Sequence, residues 1–223
     1  MEYDPEIRIE SDPDVYPPSD DSILFIQSLD VKEGEKVLEI GCGSGVVSIH
    51  CAKNGCDVTC GDINPKAVEL TRRNAELNGV SLDVHETDVY SDIKDRFDTI
   101  LFNLPYLPVD EDGLLARSWS GGPDGIGPLP DLLEGAPEHL TENGRIVIVI
   151  SSLMDTQALW DLLDRYEVST LGELKLFFEK LAVLQIKSNP SATGHYGTDG
   201  NLIFLCCCLS LGNRFAHVVF VAH

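Results

Sequence analysis

No apolar run in this 223-residue chain approaches the roughly 20 residues that a membrane-spanning helix needs, so no membrane partner is expected. The opening segment MEYDPEIRIESDPD has neither the basic block nor the apolar block of a secretory leader, and a cytoplasmic location follows as the expectation. Basic residues are scarce, 16 against 37 acids, for a formal net charge of −21. A surface this negative repels phosphate backbones, which disfavours nucleic acid as a direct partner. The acids are scattered rather than gathered into one tail, which suits a salt-rich cytoplasm that screens self-repulsion better than one basic partner. Disulfide and zinc frameworks are missing too. The seven cysteines are odd in number, and Cys56 and Cys60 have no second Cys or His pair at zinc-finger spacing, so no metal site is expected. No internal repeat is present. What remains is an ordinary globular composition, 43 % hydrophobic and 24 % charged, which excludes disordered and fibrous classes.

The pattern along the chain alternates strands with helices. Residues 1–18 read as a loose Pro- and Asp-rich arm. Ser19 is an N-cap for the helical segment DDSILFIQSL. KVLEI, CDVTCGD, SLDVHE, FDTILFN, GRIVIVIS and KLAVLQI read as strands, with helices predicted over VVSIHCAKN, the Pro65 segment that stops at Gly79, PDLLEGAPEHL and LMDTQALWDLLDRY. Residues 103–128 are a Gly/Pro-rich loop. This order predicts an α/β fold with a mostly parallel sheet wound on both faces, and ligands at the carboxyl ends of the strands. Trp160 is expected in the core, and the Phe177-Phe178 pair packed beside the last strand. Beyond residue 186 the pattern breaks: Asp199 is the one acid left, and the chain turns Cys-rich and apolar. The domain is therefore expected to cover 1–186; the atypical tail 187–223 reads either as a terminal hairpin or, the favoured reading, as sequence outside the fold.

Three stretches carry chemistry. Glu39-Ile40-Gly41-Cys42-Gly43-Ser44-Gly45 follows the first strand and opens a helix. Gly41, Gly43 and Gly45 permit a tight turn with close backbone approach to a ligand, and the helix N-terminus offers free N–H groups. The spacing is G-x-G-x-G, not the G-x-G-x-x-G of a dinucleotide site. Asp62 ends the next strand, where it can accept hydrogen bonds from ribose hydroxyls; any nucleotide-type cofactor would use such an acid. Asp88, after the third strand, can accept from an exocyclic adenine amino group. It ranks above an ordinary solvated acid only as part of this constellation.

The third stretch, Asn103-Leu104-Pro105-Tyr106, ends the fourth strand. A planar –NH2 group is a poor nucleophile because its lone pair is delocalised. Two acceptors that take both N–H hydrogens hold the nitrogen and support charge as it develops. The Asn103 side chain and the Leu104 backbone offer two such carbonyls, and Tyr106 offers a flat face for stacking.

These stretches together resemble the S-adenosylmethionine-dependent HemK-type methyltransferases, which carry Asn-Pro-Pro-Tyr and methylate the glutamine amide of the Gly-Gly-Gln motif in class 1 peptide release factors. Val15-Tyr16-Pro17-Pro18-Ser19-Asp20-Asp21-Ser22 and Trp119-Ser120-Gly121-Gly122-Pro123-Asp124-Gly125 are similar to two further signatures of its archaeal and eukaryotic branch. The resemblance covers about residues 15–186. It implies a class I Rossmann-like methyltransferase with a seven-stranded sheet whose last strand is antiparallel. It also implies S-adenosyl-L-methionine as cofactor, held by Ser22, Glu39, Gly41, Gly43, Gly45, Asp62, Asp88 and Asn103, and a catalytic segment Asn103, Leu104, Pro105 and Tyr106. Leu104 departs from the family, which has its first Pro there. In that fold the third strand lies at the sheet edge, and the branch uses a small zinc-binding adaptor subunit, so pairing near residues 80–86 is expected. Two competing functions stay open: an adenine-N6 or other amino methyltransferase acting on RNA or DNA, and a catalytically dead module that binds cofactor or partner.

Overall fold

The apolar runs of the sequence become strands buried on both faces. The computed structural model describes residues 1–105, 121–123 and 125–188. These lie within one compact unit, Met1–Asn189. The strands are β1 (Lys36–Ile40), β2 (Asp57–Asp62), β3 (Asp83–Glu86), β4 (Phe97–Asn103), β5 (Leu140–Ser151), β6 (Tyr166–Lys175) and β7 (Lys180–Ser188). The helices are α1 (Asp20–Ser28), α2 (Val46–Lys53), α3 (Pro65–Leu77), α4 (Leu129–His139) and α5 (Thr156–Leu163). All seven strands join one sheet in the order β3-β2-β1-β4-β5-β7-β6. β7 runs antiparallel to both β5 and β6. The pairs among β1 to β5 are parallel.

Successive residues of the central strands enter opposite cores. Ile100 and Phe102 of β4 join Ile146, Ile148 and Ile150 of β5 and the leucines of α4 and α5. Leu101, Val147 and Val149 point the other way, onto Phe25 and Ile26 of α1 and Val47 of α2. Burial on both faces is why these segments carry unbroken aliphatic runs instead of alternating polarity. The helix ends follow their sequence signals. Ser19 is the N-cap of α1. α3 starts at Pro65 behind Asn64, whose side chain accepts from the Lys66 N–H. α5 starts behind Asp155, which accepts from the Gln157 and Ala158 N–H groups.

Four expectations are corrected. First, β6 was read as no element at all. Its sequence YEVSTLGELK has no clean alternation because it is an edge strand with a register shift between Thr170 and Gly172. Second, Trp160 is 37 % exposed, one residue off the α5 stripe that buries Leu159 and Leu163. Third, Phe177 and Phe178 are 90 % and 86 % exposed. Fourth, the N-terminal arm is strapped down rather than loose. Asn78 accepts from the Arg8 N–H and donates to the Arg8 carbonyl. Asn74 makes the same pair of bonds with Glu10. β7 continues to Ser188, two residues past position 186.

β3 lies at one edge of the sheet and is four residues long. Arg72 of α3 donates to its Val84 carbonyl at 2.7 Å. Among the described residues no helix is long and apolar enough to cross a membrane.

Candidate active site

A cavity of about 470 Å³ opens at the carboxyl ends of β1, β2, β3 and β4. β1 pairs with β2 on one side and β4 on the other, so this is where the strand order reverses. A doubly wound sheet leaves a crevice at that point. Each wall is the turn that follows one strand, and the arm closes the remaining side with Tyr16, Pro17 and Pro18.

The turn after β1 wraps around a carboxylate. Gly43, with φ near +54°, donates its N–H to Asp62 Oδ2 at 2.9 Å. Asp62 Oδ1 accepts from the Asn64 N–H at 2.8 Å. Burial raises the Asp62 carboxyl above its ordinary range, against the pull of these backbone donors. Glu39 is 2 % exposed and accepts from the Ser48 N–H at 2.9 Å and from the Ser48 hydroxyl. Burial pushes its pKa up to about 8. Two carboxyls poorly solvated by water, both lining one cavity, call for a ligand that brings its own hydrogen-bond donors.

A pH dependence follows. Glu39 has a raised folded-state pKa, so the unliganded fold holds a proton that the unfolded chain releases above about pH 4.5. Its stabilising contribution is complete below that value and is lost as pH rises through about 8. Asp62 moves in the same direction. Denaturant midpoints should therefore fall between about pH 5 and about pH 8.5, and Glu39→Gln should flatten the decline. An equal decline in Glu39→Gln would assign it to other groups.

Gly45 is placed differently from the two glycines before it. It is the N-cap of α2 with φ near +79°, and a Cβ there would come within 2.9 Å of the Thr71 side chain. It is not part of the cavity wall; it lets α2 pack against α3. Cys42 does line the cavity. Its neighbour Cys60 and its burial raise its thiol well above the ordinary value, which keeps it protonated and poorly nucleophilic.

Across the cavity stands the end of β4. Asn103 Oδ1 is buried and has no hydrogen-bond partner, the one such side-chain atom among the described residues. An orphaned buried carbonyl is costly unless a ligand supplies the missing donor. Leu104 follows with its side chain 1 % exposed, packed into the core beneath α4. Its place in the site is therefore through its backbone. Pro105 is held from behind by Gly121, where a Cβ would sit 2.5 Å from the Pro105 carbonyl oxygen. Only a glycine allows that approach. Tyr106 lies outside the described residues.

The cavity thus brings together Ser22, Glu39, Gly41, Gly43, Asp62, Asp88, Asn103, Leu104 and Pro105. The Ser22 hydroxyl is already engaged, donating to Asp21 Oδ1 at 3.0 Å. Asp88 stands exposed at the rim. Sequence reasoning missed Pro128 and Glu179. Glu179 comes from the turn before β7, 76 positions after Asn103, and nothing local marks it. Its Oε1 accepts from the Ser151 hydroxyl at 3.2 Å.

Residues 6–116 match the family described as the methyltransferase small domain. A protein of Methanocaldococcus jannaschii, provisionally named a protein N5-glutamine methyltransferase, is 38 % identical over 80 % of this chain and 94 % of its own length. A release factor glutamine methyltransferase of Lactococcus lactis is 32 % identical over 60 % of this chain. A ribosomal RNA small subunit methyltransferase C of Hamiltonella defensa is 32 % identical over 67 %. The chain spans only 54 % and 42 % of those two relatives. Among solved structures, the E. cuniculi Mtq2-Trm112 complex, described as responsible for methylation of the termination factor eRF1, superposes with a TM-score of 0.64. It is 20 % identical, with 79 % of this chain and 99 % of that one covered.

Proposed function

This chain belongs to the HemK-type protein N5-glutamine methyltransferase family, and from that premise we propose that it methylates the side-chain amide of the Gly-Gly-Gln glutamine in a class 1 translation release factor. It is an S-adenosylmethionine-dependent methyltransferase of Rossmann-like fold. The observation that carries the substrate reading is the unpartnered Asn103 Oδ1 in the cavity wall.

The cavity fits the cofactor by its donor and acceptor chemistry. Ribose hydroxyls would donate to Asp62. The adenine amino group would donate to Asp88, and the methionyl ammonium would reach the acidic floor formed by Glu39. Gly41 and Gly43 allow backbone approach, and Ser22 closes the side next to the arm. When bound, S-adenosyl-L-methionine supplies an electrophilic methyl group.

Everything else is the work of this chain. Asn103 Oδ1 accepts one N–H of the substrate amide and the Leu104 carbonyl accepts the other. Tyr106, next in the motif, would supply a flat ring for the amide plane. Holding both hydrogens in place keeps the nitrogen aimed at the methyl carbon and supports the positive charge that grows on it. No tuned base is required, because the N–H becomes acidic once the methyl group arrives, and its proton passes to water. The domain doing this runs from residue 1 to the end of β7 at Ser188.

Ribosomal RNA methyltransferases among the relatives support a second reading, amino-group methylation of RNA, against which the charge of −21 weighs. One incubation separates the two: labelled methyl donor, a release factor and total RNA in the same tube. Label is expected in the release factor and lost when its Gly-Gly-Gln glutamine is changed to alanine. Label in the RNA alone overturns the reading.

The β3 edge is where we place a small zinc-binding adaptor, through residues 80–86. The support is that its backbone groups can extend the sheet by strand addition, and that the E. cuniculi neighbour is a two-protein complex. Arg72 would have to release the Val84 carbonyl first if the added strand pairs there.

A further inference from the structure

The largest exposed apolar feature among the described residues is the tip of the β6–β7 hairpin. Leu176 donates its N–H to the Glu179 carbonyl at 2.8 Å, leaving Phe177 and Phe178 at the turn. Their rings meet edge to face with centroids 4.6 Å apart. Both are almost fully exposed, while the other large exposed hydrophobics are between 36 % and 40 % exposed. Hairpin tips favour Asn-Gly, because the turns that match strand twist need positive φ. Here neither Phe has a positive φ, so the pair does nothing for the turn.

The hairpin tip is also fixed in place. Lys180 donates its N–H to the Ser152 hydroxyl at 2.9 Å, and the Ser152 N–H donates back to the Lys180 carbonyl at 2.9 Å. Ser151 holds Glu179. Those bonds seat the tip on the carboxyl end of β5, beside β4 and Asn103. Glu179 itself lines the cavity. Glu179 and Asn103 thus line one cavity, with the two rings on the turn beside it.

We propose that Phe177, Phe178 and Glu179 form a docking element for the polypeptide substrate, receiving a cationic side chain from the segment that flanks the methylated glutamine. This rests on the protein-substrate reading above. Ring faces carry a negative quadrupole that attracts Lys or Arg. The Glu179 carboxylate adds charge of the same sense, and the chain as a whole is strongly acidic. A proposed adaptor site on β3 leaves this hairpin free, since β3 and β6 are the two opposite edges of the sheet.

The test is steady-state methylation of a release factor by the full chain, co-expressed with its adaptor. The Phe177→Ala/Phe178→Ala double variant should raise KM for the release factor roughly tenfold or more, with kcat kept within about twofold. Affinity for the methyl donor and the melting temperature should not move, because the rings are solvent-exposed. A Phe177→Tyr/Phe178→Tyr variant should restore KM, and a Phe177→Leu/Phe178→Leu variant should not. Unchanged KM in the alanine variant overturns the docking role, and wild-type KM in the leucine variant overturns the cationic partner. A wild-type protein that leaves the release factor unlabelled overturns the substrate reading, and the docking role with it.

Discussion

Asn103→Ala should slow methyl transfer on the order of a hundredfold or more while S-adenosyl-L-methionine binds with nearly unchanged affinity. The reason lies in the two sides of the cavity. The acids of the cavity are Glu39 within β1, Asp62 at the end of β2 and Asp88 after β3, whereas the Asn103 carbonyl ends β4 and is left without a partner by the protein itself. Removing it takes away an acceptor for the substrate amide and leaves the carboxylates in place. Single-turnover transfer of labelled methyl groups measures the first effect, and calorimetry of cofactor binding measures the second. Near-wild-type turnover would rule out the amide clamp. Truncation of this side chain also removes an unsatisfied buried carbonyl, so the unliganded variant should be no less stable than the parent. A catalytic loss with no loss of stability would be hard to ascribe to misfolding.

Asp62→Ala should have the opposite profile: weak cofactor binding, with turnover recovered in part when cofactor is raised to saturation. A hydrogen bond to a charged group contributes about 1.5–3 kcal/mol, so the loss of one ribose contact weakens binding roughly tenfold to a hundredfold. The structure adds a second source of loss. Asp62 also accepts from the Gly43 and Asn64 N–H groups, so the same substitution loosens the glycine turn that approaches the ligand. Asp62→Asn separates the two effects, because its carbonyl oxygen can keep one backbone bond while the charge is gone. Unchanged cofactor affinity in Asp62→Ala would remove this residue from the site.

Most of the fold was legible because its strands are extreme in composition. FDTILFN and GRIVIVIS are buried on both faces, and such short aliphatic runs alternating with helical segments point to the central strands of a wound sheet. The cavity wall was legible for a related reason. Gly41, Gly43, Asp62 and Asp88 each sit within a few residues of a strand end, so topology alone gathers them. What could not be read depends on partners far along the chain. YEVSTLGELK is a strand only because β7 pairs with it, and an edge strand buries too little to show alternation. Phe177-Phe178 looks like core beside KLAVLQI until the hairpin turns the two rings outward. Gly45 shares a motif with Gly43, yet only the approach of Thr71 shows that it serves helix packing. Glu179 reaches the cavity from the turn before β7, a strand with no parallel neighbour. The arm escaped notice because asparagine side chains hold it in place of a strand.

Those asparagines have a consequence for exchange with solvent. Asn74 is fully buried and serves three backbone groups at once: it accepts from the Glu10 N–H and donates to the Glu10 and Ser44 carbonyls. Ser44 lies in the glycine turn, and Glu10 lies in the arm. The Glu10 amide sits near the surface of an N-terminal segment, where fast deuterium uptake is the norm, yet it can exchange only when Asn74 lets go. The same side chain is the link to the turn that lines the cavity. Protection of that one amide proton therefore reports on a loop more than thirty residues away in sequence, and ligand that stiffens the turn should slow deuterium uptake in the arm.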